Sequence, residues 1–129
     1  MSDLERSVRV LLVEDNDVYR ESLVFLLRRV EGLDLVGAVA VGAAAAPACR
    51  EARADVVVVD FRLPDVDGAE VAADLRSHCP GAAVVFLSAS AGQAEYDAAS
   101  STGAALVRKD EGVAALVSAV RAAAGRRRE

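Results

Sequence analysis

Five side chains suited to phosphate and metal chemistry sit where short apolar runs end. Glu14 and Asp15 follow residues 8–13, Asp60 follows 56–59, Ser88 follows 83–87, and Lys109 lies just beyond 104–107. Three carboxylates drawn to one place repel one another, so either some are protonated or a cation sits among them. An all-oxygen donor set favours a hard ion. Mg²⁺ in particular keeps several waters and takes one or two carboxylates together with phosphate oxygens. That chemistry assigns Asp15 and Asp60 as direct ligands, with Glu14 acting through water. A carboxylate held beside such an ion can attack phosphorus. The Lys109 ammonium and the Ser88 hydroxyl would then meet the phosphoryl oxygens, and the product would be an acyl phosphate with added negative charge.

Taken singly, each residue has an ordinary explanation. An aspartate at a strand end is commonly a turn residue, a lysine is commonly solvated, and a strand-end serine commonly bonds nearby backbone. Acids such as Glu14 and Asp15 also suit the start of a helix. The set carries weight because each member falls at the same edge of a different strand. The segment Asp60-Phe61-Arg62-Leu63-Pro64-Asp65-Val66-Asp67-Gly68 adds a loop in which Pro64 presets a tight turn and Gly68 permits an unusual backbone angle. Such a loop can aim the Arg62 carbonyl at a metal, although an ordinary turn before a helix would look the same.

The elements that must position these residues alternate along the chain. Residues 8–13 form a short β-branched run expected to be a buried strand. Asn16 or Asp17 can cap the helix that follows, with Tyr19, Leu23, Leu26, Leu27 and Val30 on one face and Gly32 ending it. A second strand is expected over 33–39. The alanine-rich stretch after it reads as a helix starting near Pro47 or kinked there. Residues 56–59 are continuously apolar, as in a sheet covered on both faces. Val71 and Leu75 mark a third helix, and Pro80-Gly81 precedes a strand over 83–87. The helix over 91–101 is weakly marked, with Tyr96 its single large apolar anchor. A strand over 104–107 and a helix striped by Val113, Leu116, Val117 and Val120 complete the pattern. Five strands alternating with five helices imply a doubly wound parallel α/β sheet with right-handed crossovers. Ligands in such sheets bind beyond the carboxyl ends of the strands.

Composition bounds the alternatives. The 129 residues suit one domain, with a core over about 7–124 and residues 125–129 as a tail or linker. No apolar run is long enough to span a bilayer, and the first residues do not form a signal peptide, so a cytoplasmic protein without membrane attachment is the expectation. The net charge of −5 argues against this domain gripping nucleic acid directly, and only Arg126-Arg127-Arg128 is locally basic. The two cysteines, Cys49 and Cys79, read as reduced and mostly buried thiols.

The ordered motifs resemble the receiver domain of two-component response regulators over nearly the whole chain, from about Val8 to Ala123. The matching segments are Leu-Val-Glu14-Asp15, Asp60-Phe-Arg-Leu-Pro64-Asp-Val-Asp-Gly68, Phe-Leu-Ser88-Ala and Val-Arg-Lys109-Asp. The resemblance implies a flavodoxin-like fold with strand order 2-1-3-4-5 and Asp60 as phosphoacceptor. It implies Mg²⁺ held by Asp15, Asp60 and the Arg62 carbonyl with Glu14 behind them, and Lys109 and Ser88 on the phosphoryl group. A sensor histidine kinase would be the donor, and a homodimer or a downstream output protein the recipient of the signal. Lys109-Asp110 in place of Lys-Pro is similar to the subclass joined to helix-turn-helix output domains. The chain departs from the family in having Ala104-Ala105-Leu106-Val107 where an aromatic switch residue usually precedes the lysine.

Such a domain would turn over its own acyl phosphate without acting on a separate substrate. A degenerate receiver, serving as a phosphorylation-independent interaction module, is a second reading favoured by the missing aromatic. An aspartyl-phosphate phosphohydrolase would need a second acid two positions after the nucleophile, where this chain has Arg62. Flavin and nucleotide folds fit poorly, because Glu14-Asp15-Asn16-Asp17 stands where a glycine-rich phosphate loop would be.

Overall fold

The computed structural model describes residues 7–89 and 92–128. Five parallel strands, β1 (Val8–Val13), β2 (Leu33–Val39), β3 (Val56–Asp60), β4 (Ala83–Ser88) and β5 (Ala105–Arg108), form one sheet in the order β2-β1-β3-β4-β5. The helices α1 (Asp17–Leu27), α2 (Ala45–Ala52), α3 (Gly68–His78), α4 (Gln93–Thr102) and α5 (Val113–Arg128) make the crossovers. This is the doubly wound α/β fold expected from the alternation of apolar runs.

Strand periodicity divides the core into two layers, because successive side chains point to opposite faces. Val10, Leu12, Val56, Val58, Val85 and Leu87 pack toward α1 and α5. Leu11, Val13, Val57, Val59 and Phe86 pack toward α2 and α3. β3 is central, and its four valines are wholly buried, each contributing roughly 1.5–3 kcal/mol of transfer free energy. That covering on both faces is why β3 reads as an unbroken apolar run.

Local sequence sets most boundaries. The Asn16 side chain accepts from the Tyr19 N–H at 2.8 Å and starts α1. Asp67 does the same for α3 through the Glu70 N–H at 2.9 Å. Pro47 lies in the first turn of α2, where its missing N–H costs little, and a short 3₁₀ turn at Gly42–Ala44 leads in. The helix starts two residues before the proline and is not kinked by it.

Four expectations change. α1 stops at Leu27, so Val30 lies outside it, and Leu26 on the supposed inner face is exposed. Gly32 instead takes φ +86° in the turn into β2. Tyr96 does not anchor α4: it is 50 % exposed, while Glu95 and Ala99 are the buried residues of that helix. Gly68 does not adopt a positive φ. It is needed because a Cβ there would meet the Phe61 Cα at 2.8 Å. Finally, Cys49 and Cys79 are not separate thiols. α2 and α3 pack side by side, and the two sulfurs are joined in a disulfide with Cα atoms 6.6 Å apart. A separation of 30 residues along the chain gave no hint of that neighbourhood.

Candidate functional site

The parallel sheet carries the strand ends to one edge. β1 ends at Val13 and delivers Glu14 and Asp15, β3 ends with Asp60, β4 with Ser88, and β5 runs directly into Lys109. Register fixes their neighbourhood: Asp60 pairs with Leu87, and Ser88 pairs with Arg108. Glu14, Asp15 and Asp60 each present an oxygen within 4.8 Å of the others. Glu14 is 0 % exposed and Asp60 5 %, whereas Asp15 opens to solvent. Ser88 is buried beside them.

Lys109 reaches into this cluster. Its ammonium lies 2.8 Å from Glu14 Oε1 and 3.2 Å from Asp60 Oδ2. Burial by itself would push the Lys109 ammonium down, but hydrogen bonding to Glu14 and the charges of Asp60 and Glu14 outweigh it and raise its pKa. Backbone donors complete the carboxylates: the Asn16 N–H donates to Glu14 Oε2 at 2.9 Å, and the Arg62 N–H to Asp60 Oδ1 at 3.1 Å. Glu14 Oε1 is wholly buried and has the Lys109 ammonium as its partner.

The charge does not balance. Each close carboxylate pair repels by roughly 4 kcal/mol at an effective dielectric constant of about 20, and one ammonium meets two of the three. A cation in the opening beside Asp15 would relieve the rest, and the donor set is oxygen throughout, as Mg²⁺ prefers. The residues therefore fit a hard divalent ion.

Three supporting residues were not legible as functional. The Tyr19 ring lies under the Lys109 ammonium, 4.5 Å from ring centroid to nitrogen. Burial raises the Tyr19 pKa, Lys109 lowers it, and Glu14 and Asp60 raise it further, the net direction being upward. Tyr19 read as a helix-face apolar residue; its place in the first turn of the helix that follows the acidic strand end was the available signal. The Arg20 guanidinium donates to the Glu14 carbonyl at 2.9 Å and to Asp17 at 2.6 Å, bracing the acidic loop. Glu95, 2 % exposed, meets the Arg62 guanidinium at 3.6 Å and ties α4 to the loop after Asp60.

That loop is further pinned by Asp65, whose carboxylate accepts from the Gly42 and Ala43 N–H groups at 2.9 Å each. Those backbone donors hold the Asp65 carboxyl below its usual range. An isolated bridge joins Arg62 to Asp67, and the Gly68 N–H donates to the Phe61 carbonyl at 2.7 Å.

Comparison with known proteins agrees with this geometry. The family described as "Response regulator receiver domain" matches residues 10–121, and the chain belongs to that family. The signal receiver domain of NarL from Mycobacterium tuberculosis superposes with a TM-score of 0.85 at 33 % identity, covering 93 % of this chain and 98 % of that one. A LuxR-family two-component response regulator from Aurantimonas sp. SI85-9A1 gives 0.85 at 30 % identity, covering 92 % and 86 %. DNA-binding transcriptional activator DevR/DosR of Mycobacterium tuberculosis is 45 % identical over 73 residues, 57 % of this chain and 34 % of that protein. The chain thus spans about a third of the curated relatives it matches. Its function is that of a receiver domain of two-component signalling, and its acidic cluster is consistent with the phosphoacceptor and Mg²⁺ site of such domains. Among the described residues, no helix is long and apolar enough to cross a membrane.

Proposed function

We propose that Asp60 is the phosphoacceptor of this receiver and that Asp15, Asp60 and the Arg62 carbonyl hold Mg²⁺, with Glu14 behind them through water. The observation that carries the reading is the meeting of Glu14, Asp15 and Asp60 beneath a single ammonium from Lys109. When bound, Mg²⁺ supplies positive charge that offsets the phosphoryl oxygens. Asp60 then acts as nucleophile: an oxygen of its carboxylate forms the new O–P bond while the donor's bond to phosphorus breaks. With a histidine kinase as donor, the P–N bond is lost and the imidazole nitrogen takes a proton. Lys109 exchanges its contact with Asp60 for a phosphoryl oxygen, and the Ser88 hydroxyl takes another.

The output is a change in partner choice. Added charge at Asp60 alters the demand on Lys109 and on the Arg62–Glu95 contact, which leads to α4. A sensor histidine kinase upstream, and a homodimer or helix-turn-helix output unit downstream, fit the relatives' described roles as transcriptional regulators. On this reading the whole domain, residues 1–129, acts in the cytoplasm and does not itself grip nucleic acid.

A degenerate, phosphorylation-independent module is the second reading. It rests on Leu106, half-buried in β5, standing where the family usually has an aromatic. Beryllofluoride with Mg²⁺ separates the two. The phosphorylation reading expects saturable amide shifts at Asp60, Ser88 and Lys109 beyond those caused by Mg²⁺ alone, and none of this further shift when Mg²⁺ is omitted. Unchanged spectra would leave the degenerate reading standing.

A further inference from the structure

Cys49 and Cys79 are the chain's two cysteines and take no part in the acidic site. Cys49 is wholly buried in the last turn of α2, and Cys79 is half-buried immediately after α3, with the two sulfurs bonded to one another. A groove of about 290 Å³ opens on both, lined also by Arg50, Arg53 and Pro80. We propose that this pair is a reversible redox modification site, thiols in a reducing medium and disulfide under a small-molecule disulfide oxidant, which clamps α2 to α3.

α2 is the element that needs such a clamp. It has eight residues, no side-chain hydrogen bond at its N-cap, and a C-cap at Arg53 held in the left-handed region at φ 54°. Isolated helices this short do not persist in water, so tertiary holds must keep α2 in place. Asp65 supplies one just ahead of it, through the Gly42 and Ala43 N–H groups. Core burial of Ala45 and Ala46 and the Arg9 guanidinium, which donates to the Ala52 carbonyl at 2.6 Å, supply others, and the Cys49–Cys79 bond adds a covalent one.

The chemistry balances as two exchange steps. Cys79, the more accessible sulfur, loses its proton to solvent and attacks one sulfur of the oxidant, whose S–S bond breaks and releases one thiolate. Cys49 then loses its proton and attacks the Cys79 sulfur, expelling the second thiolate. The protein loses two hydrogens and two electrons, and the oxidant becomes two thiols. The positive charge of Arg50 and Arg53 favours approach of an anionic disulfide such as oxidised glutathione.

The test starts from fully reduced wild-type protein exposed to oxidised glutathione. The expected product is monomeric, lighter by two hydrogens and free of retained glutathione, with peptide mapping joining Cys49 to Cys79. Closing a 30-residue separation predicts a Tm about 10 °C above that of the reduced form, reversed by dithiothreitol. Cys79→Ser should show no oxidant-dependent shift. The wild-type comparison stands by itself if that variant fails to fold. Persistent free thiols, a retained glutathione adduct, disulfide-linked dimers, or equal Tm values for the two forms would each overturn the proposal.

Discussion

Lys109 holds the acidic site together in the absence of metal. It is the cation that faces both Glu14 and Asp60. Lys109→Met leaves those carboxylates buried without it, a class of change that costs about 3–5 kcal/mol. Urea denaturation in EDTA should show that loss, and millimolar Mg²⁺ should restore a large part of it. An unchanged midpoint in EDTA would mean that the site tolerates its own repulsion. Because the folded Lys109 pKa is raised, its contribution is fully present below the ordinary lysine value of about 10.4 and is lost as pH climbs through the higher folded value. Gly68 acts through space rather than charge. Gly68→Ala pushes a methyl against the Phe61 backbone and should cost about 1–3 kcal/mol of stability, read as a lower urea midpoint at unchanged slope. The five chemical residues were legible singly as types, whereas Tyr19 and Glu95 were not. An aromatic on a helix face and a carboxylate in a helix first turn each have a commoner, purely structural use.

Elements differ in how firmly they are held. α1 sets Leu23 and Leu27 into the core, and α5 sets Leu116, Val117 and Val120 there, but α4 buries only Glu95 and Ala99. Amide hydrogen exchange should therefore be faster in α4 than in α1 or α5. Protection equal to the core helices would contradict that ranking. The attachment ahead of α2 depends on pH through Asp65. Its folded pKa is depressed by the Gly42 and Ala43 N–H groups, so the attachment is complete above the ordinary aspartate value of about 3.9 and is lost as pH falls through the lower folded value. NMR titration should place the midpoint of the Gly42 and Ala43 amide shifts below that ordinary value. A midpoint at or above it would remove Asp65 from this role. Strand positions were read closely because β-branched runs leave few alternatives. The end of α1 was misread because Val30 continues the apolar spacing while the backbone has already turned. α4 was misjudged because a scattered alanine pattern hides which residue faces inward.

At the scale of the molecule, function follows from topology. A parallel sheet must send every strand's carboxyl end to one side, so residues separated by dozens of positions become neighbours without any local signal linking them. That is why the ordered set Glu14-Asp15, Asp60, Ser88 and Lys109 was legible as a site and why the Cys49–Cys79 pairing was not. The acids recur at strand ends, a rule the fold supplies. The cysteines meet through the packing of two helices, which periodicity does not specify. Asp60 is the proposed nucleophile among the clustered acids. The most direct test of that role is intact and tandem mass spectrometry after incubation with acetyl phosphate and Mg²⁺. One labile phosphoryl group on Asp60 is expected, absent with EDTA and absent in Asp60→Asn. A stable adduct elsewhere, or equal labelling of Asp60→Asn, would contradict it.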